Sequence, residues 1–401
     1  MKILLLTFYF EPDLCAGSFR ATSLFNSLNE NYKNLSIDVL TTTPNRYKTF
    51  EARVASNVEK INKNSFIYRI KVRNHKSGFF DQSISFISFF LGGLKFIKKN
   101  KDYDLIIATS SRLMTGFLGA MLSKRLNVPY YLDLRDIFSE TIKDIFPKYI
   151  SFVIKKIVKK LENFTIKGAS KVNLVSKGFE KYFFSEYPEK DYSFYTNGID
   201  EEFINFSFSK TKIKITNNIN KRMILYAGNI GKGQGLDKII PQLALNTEDK
   251  YEYKIIGEGG AKADLEKKIN LLKITNVEII NPISRPELIK SYKNADILFL
   301  HLNDFEVFKK VIPSKIFEYA ATKKPILAGV SGYSEDFIKN EIENAFTFMP
   351  CSHENAIKIL KKVKYGMTNR SEFIKKYSRK KIMNSMSEDI ISLVNNDARK
   401  S

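Results

Sequence analysis

Residues 222–236 read RMILYAGNIGKGQGL, and this stretch decides the fold prediction. An apolar run typical of a buried strand leads into a helix-forming sequence through four glycines, Gly228, Gly231, Gly233 and Gly235. Glycine permits a positive φ and a close approach of ligand to main chain, and a helix N-terminus favours an anion. The spacing is not the dinucleotide GxGxxG pattern, so a tight structural turn and a nucleotide-diphosphate loop both remain open.

A second glycine loop follows the next strand, at the sequence IIGEGG, which contains Gly257 and Gly259. Ligands of open α/β sheets bind at the carboxyl ends of the strands, so both loops are expected on one rim. Pro282, after the strand-like run VEII, is expected on the same rim, where main-chain groups can meet a base edge.

Strand-like and helix-like runs alternate along nearly the whole chain, which predicts an α/β protein with parallel sheets. Two series, each opening with a strand and a glycine-bearing turn, predict two Rossmann-like domains. The expected bounds are 1–200 for the first domain, 201–375 for the second, and 376–401 for a helix that crosses back to the first.

One carboxylate stands within an apolar helix pattern in the second domain, in the sequence PSKIFEYAATKKP. The helix is expected to begin near Ser314, with its amides and Lys315 facing the glycine loops, where they can neutralise a pyrophosphate. Glu318, one turn later, can then reach ribose hydroxyls. The alternative is a carboxylate paired inside the protein or turned to solvent, since burying it unpaired is costly.

Composition limits the class of protein. The 401 residues have a hydrophobic fraction of 43% and a net charge of +22, which fits a folded protein attracted to anionic surfaces. Nucleic acid, acidic lipid and a plain lysine-rich surface all remain compatible with that charge. Two distant cysteines, Cys15 and Cys351, indicate a reducing compartment. The apolar N-terminus reads as a first strand, and no run is long enough to span a membrane.

Two stretches of the first domain are candidates for membrane contact. Residues 147–164 form a basic amphipathic pattern, which can lie on an acidic membrane surface or pack as an ordinary core helix. Residues 79–97 are rich in phenylalanine and are either exposed or part of the core.

No metal site or cofactor is predicted. The acidic triplet at 102–104, DYD, precedes a strand at its amino end, away from the expected ligand rim. The three histidines His75, His301 and His353 are scattered and form no ligand pattern.

Together, NIGKGQGL, IIGEGG, ADILFLHL, PSKIFEYAATKKPIL and, in the first half, YFEPD, AGSFRA, LDLRDIF and TNGID resemble the family 4 retaining glycosyltransferases. The resemblance covers essentially the whole chain. It is strongest to the branch that makes bacterial surface polysaccharides, including N-acetyl-L-fucosamine transferases. It implies the GT-B fold, in which two Rossmann-like domains face each other across a cleft.

The resemblance also implies roles for residues of the second domain. Glu318 would hold the nucleotide ribose, Ser314 and Lys315 would meet the diphosphate, and the turn at Gly228 and Gly231 would lie beneath it.

Three positions depart from the family pattern. Asn229 and Gln234 stand among the donor-binding residues where the family commonly has arginine and lysine. Lys310 stands where the family has an acid that touches the transferred sugar, and Glu306 lies one turn earlier.

Candidate acceptor contacts lie after two strands of the first domain, facing the expected cleft. Asp136 is the candidate for orienting the acceptor hydroxyl. A plain strand-to-helix turn and a structural ion pair are the alternatives. The other candidates are Gly17, Ser18, Arg20, Arg135 and Glu140.

The predicted function is retaining transfer of a sugar, such as N-acetyl-L-fucosamine, from a UDP-sugar to an undecaprenyl-diphosphate-linked saccharide. The expected location is the cytoplasm, at the inner face of the membrane, and no nucleic-acid partner is expected. The alternatives are a nucleic-acid-binding protein, for which no helix-turn-helix or RNA-binding pattern is present, and a catalytically inactive family member.

Overall fold

The computed structural model describes residues 1–45, 56–72, 79–110, 113–137, 148–206 and 221–397. The chain divides into two compact units, the first formed by Met1–Asn197 with Arg379–Ser401 and the second by Gly198–Ser378. Each unit has its own mainly parallel sheet, so the predicted α/β class with two Rossmann-like domains is confirmed.

The first unit has an eight-stranded sheet in the order β3-β4-β2-β1-β5-β6-β7-β8, parallel except where β3 meets β4. Its central strands are buried along almost their whole length, which is why they read as unbroken apolar runs. The strands are β1 (Lys2–Thr7), β2 (Ser36–Thr42), β3 (Val58–Lys60), β4 (Ser65–Ile70), β5 (Leu105–Ser110), β6 (Tyr130–Leu134), β7 (Lys171–Leu174) and β8 (Tyr192–Ser193). The helices are α1 (Ala16–Asn31), α2 (Phe79–Lys99), α3 (Leu113–Leu126), α4 (Lys148–Gly168) and α5 (Glu180–Glu186), with a 3₁₀ turn at Lys177–Phe179.

The second unit has a six-stranded parallel sheet in the order β11-β10-β9-β12-β13-β14. The strands are β9 (Arg222–Ala227), β10 (Tyr251–Ile256), β11 (Val277–Ile280), β12 (Ile297–His301), β13 (Ile326–Gly329) and β14 (Ala345–Phe348). The helices are α6 (Glu201–Asn205), α7 (Leu236–Leu245), α8 (Lys262–Leu271), α9 (Arg285–Asn294), α10 (Lys315–Ala321), α11 (Tyr333–Glu341), α12 (His353–Leu360) and α13 (Ser371–Lys376), with a 3₁₀ helix at Glu306–Lys310. The strand order reverses between β9 and β12, and ligands of this topology bind at that point.

The last helix, α14 (Arg379–Asp397), packs on α1 of the first unit. Met383 and Met386 are fully buried in that unit's core, and Ser27 of α1 donates to the side chain of Asn384 at 2.8 Å. The helix therefore completes the core of a unit whose other elements end before residue 198.

Helices α2 and α4 both flank α3 and leave large apolar side chains in solvent. An aromatic series runs across the three helices, from Phe90 to Phe117 at 5.7 Å and from Phe117 to Phe164 at 5.3 Å between ring centres. Within the described residues, no helix is both long and apolar enough to cross a bilayer. The exposed apolar side chains are Ile84, Ile87 and Leu91 on α2 and Ile157 and Phe164 on α4.

The acidic triplet at 102–104 belongs to the packing of the first unit. Tyr103 is buried and donates its hydroxyl to Asp38 at 2.7 Å, and Asp104 accepts the main-chain N–H of Lys2 at 2.7 Å. The triplet lies at the amino end of β5, as its sequence position predicts.

Candidate functional site

The first glycine loop, residues 228–235, joins β9 to α7 at the point where the strand order reverses. Two amide side chains bond to each other across it, because Asn229 donates to Gln234 at 2.8 Å. The side-chain oxygen of Gln234 also accepts the N–H of Gly231 at 3.3 Å. Gly235 enters α7 with φ +59°, in the left-handed region. Asn229 and Gln234 therefore hold the loop in shape.

The second glycine loop lies directly against the first. At Gly257 the main chain has φ +157°, and a Cβ there would overlap the carbonyl oxygen of Gly228. A Cβ at Gly259 would lie 2.5 Å from the carbonyl oxygen of Ile230. Both positions require glycine because two main chains meet without space for a side chain.

Two main-chain amides of the first glycine loop are bonded to residues at the end of β10 and in the second loop. The N–H of Gly228 donates to Ile256 at 2.8 Å and that of Ile230 donates to Glu258 at 2.9 Å. These two amides donate to main-chain carbonyls and are therefore not available to a ligand. The glycines supply a surface that a ligand can approach closely, and a nearby basic side chain can add positive charge to it.

Lys315 brings positive charge to this surface. Its side chain crosses the first glycine loop, since a Cβ at Gly228 would lie 2.7 Å from Lys315 Cε. The lysine side chain is 26% exposed, and its Nζ lies 3.6 Å from a carboxylate oxygen of Glu318. Ser314 precedes it with helical φ and ψ and makes no side-chain cap bond to α10, which has only seven residues. The structure thus brings the start of α10 and the two glycine loops together.

Glu318 is the carboxylate within the apolar helix, and it is 5% exposed. The Tyr292 hydroxyl donates to one carboxylate oxygen at 3.2 Å, and Arg285 Nη1 lies 3.4 Å from the other. Burial, reinforced by the charge of Glu318, raises the pKa of Tyr292, so the phenol stays protonated and can donate. Partners from α9 and α10 therefore balance the buried charge.

His301 and Asn303, at the end of β12, hold the first glycine loop from the other side. Nδ1 of His301 donates to the carbonyl of Gln234 at 2.6 Å, while Nε2 accepts the N–H of Cys351 at 2.9 Å. Burial lowers the pKa of His301 to about 4, so the ring is neutral with its proton on Nδ1. Asn303 donates to the carbonyl of Lys232 at 2.8 Å. Sequence reasoning missed both roles. The signal that could have found them is their position at the end of β12, where the strand order reverses.

Pro282 and Lys310 lie at the margins of this arrangement. Pro282 follows β11, the outer strand of the sheet, at its carboxyl end. Lys310 ends the 3₁₀ helix in which Glu306, with an 82% exposed side chain, pairs with Lys309 at 2.5 Å. The stretch is helical, and its carboxylate is engaged with a neighbouring lysine at the surface.

In the first unit, two of the residues expected to contact an acceptor are buried. Arg20 is fully buried and donates to both oxygens of Asp133, at 2.7 and 2.8 Å, and to the carbonyls of Tyr195 and Thr196. Ser18 is also fully buried and offers no surface to a ligand. Arg20 serves as an internal ion pair, because every nitrogen of its guanidinium already bonds inside the unit.

Gly17 and Arg135 do lie together. A Cβ at Gly17 would be 3.0 Å from Arg135 Nη1, and both residues are partly exposed. Burial and the neighbouring Arg20 lower the pKa of Arg135. Asp136 is partly exposed at the next position, while Glu140 lies outside the described residues.

Comparison with known proteins gives matches of different extent. Residues 208–381 match the family model described as "Glycosyl transferases group 1", which is less than half of the chain. The putative colanic acid biosynthesis glycosyl transferase WcaI of Escherichia coli is 28% identical over 116 residues. That alignment covers 29% of this chain and only 28% of the length of WcaI.

Solved structures resemble the chain over nearly its whole length. Sucrose-phosphate synthase from Thermosynechococcus elongatus has a TM-score of 0.74 at 12% identity, covering 99% of this chain and 100% of that one. Anabaena HepE in complex with UDP and glucose has a TM-score of 0.62 at 15% identity, covering 100% and 99%. WaaG, a glycosyltransferase involved in lipopolysaccharide biosynthesis, has a TM-score of 0.63 at 12% identity, covering 99% and 98%. At these identities the likeness establishes the fold, with glycosyltransferases among the neighbours.

Proposed function

We propose that this chain is a glycosyltransferase that takes its sugar from a uridine diphosphate donor. The observation that carries the proposal is the meeting of Lys315 with two glycine loops, one helical turn before the buried Glu318. A lysine over a surface without side chains suits a diphosphate, and a carboxylate nearby suits ribose hydroxyls. The donor-binding set proposed here consists of Gly228, Asn229, Gly231, Gln234, Gly235, Gly257, Gly259, Pro282, Ser314, Lys315 and Glu318.

The comparisons support the same class of activity. The group 1 family match lies over the second unit, and the HepE structure with UDP and glucose has the same fold. WcaI is named for colanic acid biosynthesis and WaaG for lipopolysaccharide biosynthesis. We therefore assign the chain to O-antigen or capsule synthesis, with an N-acetylated deoxy-amino hexose such as N-acetyl-L-fucosamine as the transferred sugar. The proposed acceptor is an undecaprenyl-diphosphate-linked saccharide.

The proposed chemistry is electrostatic and needs no metal. Lys315 and Ser314 stabilise the departing diphosphate, which is where negative charge develops as the bond to the sugar breaks. The acceptor hydroxyl, oriented by Asp136, attacks on the face that the diphosphate leaves, and a phosphate oxygen takes its proton. The anomeric configuration is then retained.

We also propose that the first unit rests on an acidic membrane surface through α2 and α4. Large apolar side chains are exposed on both helices, and Lys156 and Lys160 are exposed on α4. This combination favours insertion at a lipid interface next to anionic headgroups. Lys159 is a different case, because it pairs with Glu162 at 3.2 Å and Glu186 at 2.8 Å inside the unit.

A screen of nucleotide sugars by thermal shift tests the donor assignment, because a ligand that binds the native state raises the midpoint. We expect uridine diphosphate sugars to raise it and adenosine, guanosine and cytidine counterparts to do so far less. The best donor is then incubated with lipid-linked acceptors, and NMR of the product reports the anomeric configuration. No shift with any uridine nucleotide would remove the proposal.

A nucleotide-binding protein without transferase activity is the second candidate. Two departures from the resembled family favour it. The neutral Asn229–Gln234 pair stands where that family commonly has arginine and lysine, and Lys310 stands where it has an acid. Such a protein would bind UDP and its sugars but release no UDP during incubation with donor and acceptor. Turnover of any donor would exclude it.

A further inference from the structure

Arg285 connects the buried Glu318 to helix α6. It is the first residue of α9, whose start is fixed by a capping box between Ser284 and Glu287. Its guanidinium contacts three carboxylates: Nη1 is 3.4 Å from Glu318, Nη2 is 2.5 Å from Asp200, and Nε pairs with Glu202. One guanidinium therefore touches both α10 and the beginning of α6.

The three contacts are unequal. Charge-assisted N–H···O bonds are normally 2.7–2.9 Å long, so the contact with Glu318 is the weak one. The guanidinium also lies 4.7 Å from the ring centre of Phe203 on α6, with its side chain only 13% exposed. Burial alone would lower the pKa of Arg285, but the carboxylates of Glu318, Asp200 and Glu202 outweigh it and raise the pKa. By distance, Arg285 is thus bound more closely to Asp200 and Glu202 than to Glu318.

If Arg285 formed two hydrogen bonds with Glu318, both carboxylate oxygens would be occupied. Arginine and carboxylate prefer a two-bond fork, which occupies both carboxylate oxygens. Both oxygens of Glu318 are the groups that ribose hydroxyls would need. Nη2 and Nε of Arg285 bond to Asp200 and Glu202, so only Nη1 faces Glu318 and no two-bond fork is present.

Helix α6 stands where the chain enters and leaves the second unit. Ile199, just before α6, donates its N–H to the carbonyl of Tyr377 at 2.8 Å and forms a parallel bridge with Ser378. The second unit begins at Gly198 and ends at Ser378. Asp200 and Glu202 therefore follow directly on a segment that is bonded to the last residues of the unit.

We propose that Asp200 and Glu202 are positioning residues for nucleotide binding, which act by keeping Arg285 from forming a two-bond pair with Glu318. The inference rests on the proposed function, because it assigns Glu318 to the ribose. It predicts that two carboxylates set the affinity for the ribose without touching the nucleotide themselves.

Calorimetric titration with UDP and with 2′,3′-dideoxyuridine diphosphate tests the inference. In Asp200→Asn/Glu202→Gln, UDP binding should weaken about tenfold, as the released guanidinium occupies Glu318. Binding of the dideoxy nucleotide, which has no ribose hydroxyls to lose, should stay within twofold of the wild type. In an Arg285→Gln background the same two substitutions should change neither affinity. Glu201→Gln, which removes a carboxylate from α6 that makes none of these ion pairs, is the matched control.

Equal weakening of both nucleotides would overturn the inference, since it would indicate a general disturbance of the unit. An unchanged UDP affinity, or the same loss with Arg285 already replaced, would also overturn it. If the wild-type protein does not bind UDP at all, the proposed function fails at that step. The two failures are therefore distinguishable.

Discussion

Two arginines near helix starts, Arg20 in the first unit and Arg285 in the second, form ion pairs of opposite kinds. Arg20 has no exposed surface, and each nitrogen of its guanidinium bonds to a carboxylate or a main-chain carbonyl. Arg285 remains 13% exposed and faces three carboxylates at unequal distances. The first arrangement is complete and can only stabilise, whereas the second has competing partners and can respond to a ligand. The competing partners of Arg285 are what make this ion pair a candidate for a role in binding.

The largest effect is expected from breaking the complete pair. In Asp133→Asn the buried guanidinium of Arg20 loses its counterion, which costs about 3–5 kcal/mol of unfolding free energy. Urea unfolding followed by circular dichroism measures the loss. Asp191→Asn, which removes a 63% exposed partner of Lys171, should cost less than about 1 kcal/mol. Equal losses in the two variants would contradict the larger stabilisation expected from the buried pair.

His301 in the second unit resembles Arg20, because it is buried and both of its ring nitrogens are hydrogen-bonded. Its pKa falls from 6.5 to about 4 on folding, so the unfolded chain takes up a proton first as the pH drops. The stabilisation is present above pH 6.5 and is lost between pH 6.5 and pH 4, by about 3 kcal/mol in total. His301→Gln should flatten the plot of unfolding free energy against pH over that window. An unchanged slope would contradict the prediction.

Glu318 tests the second arrangement. In Glu318→Ala the ribose loses a hydrogen bond to a charged group, worth about 1.5–3 kcal/mol, so the affinity for UDP and the turnover should fall tenfold to hundredfold. Circular dichroism should show a retained fold. Glu341→Ala, which removes a surface partner of Lys376, is the control and should keep full activity. Full activity in Glu318→Ala would remove the ribose assignment.

The smallest effect is expected at the surface of α4. Replacing Lys156 and Lys160 with glutamine should weaken sedimentation with acidic vesicles by about 1 kcal/mol per lysine, and the loss should shrink at high salt. Lys159 stays unchanged because of its internal pairs. Lys267→Gln/Lys290→Gln, at exposed positions of the second unit, provides the charge-matched control. Equal sedimentation of the two variants would favour α4 as an ordinary packing helix.

Local pattern predicted much of this architecture. The apolar run ending in glycines at 228–235 predicts strand, turn and helix, because each depends on neighbouring residues. The close approach of Gly257 to Gly228 depends on the register of β9 and β10, which no local pattern encodes. Arg20 and Asp133 are 113 positions apart, so only the folded sheet reveals that the arginine is used internally. His301 looked isolated for the same reason, since its partners at Gln234 and Cys351 come from distant loops.

The central claim is that Lys315 and the two glycine loops form the site for a nucleoside diphosphate. Calorimetry with UDP on the wild type, Lys315→Met and the surface control Lys290→Met tests it most directly. We predict saturable binding to the wild type and the control, and at least tenfold weaker binding to Lys315→Met, because a charged phosphate contact is lost. Equal affinity in all three proteins, or no binding to the wild type, would contradict the account.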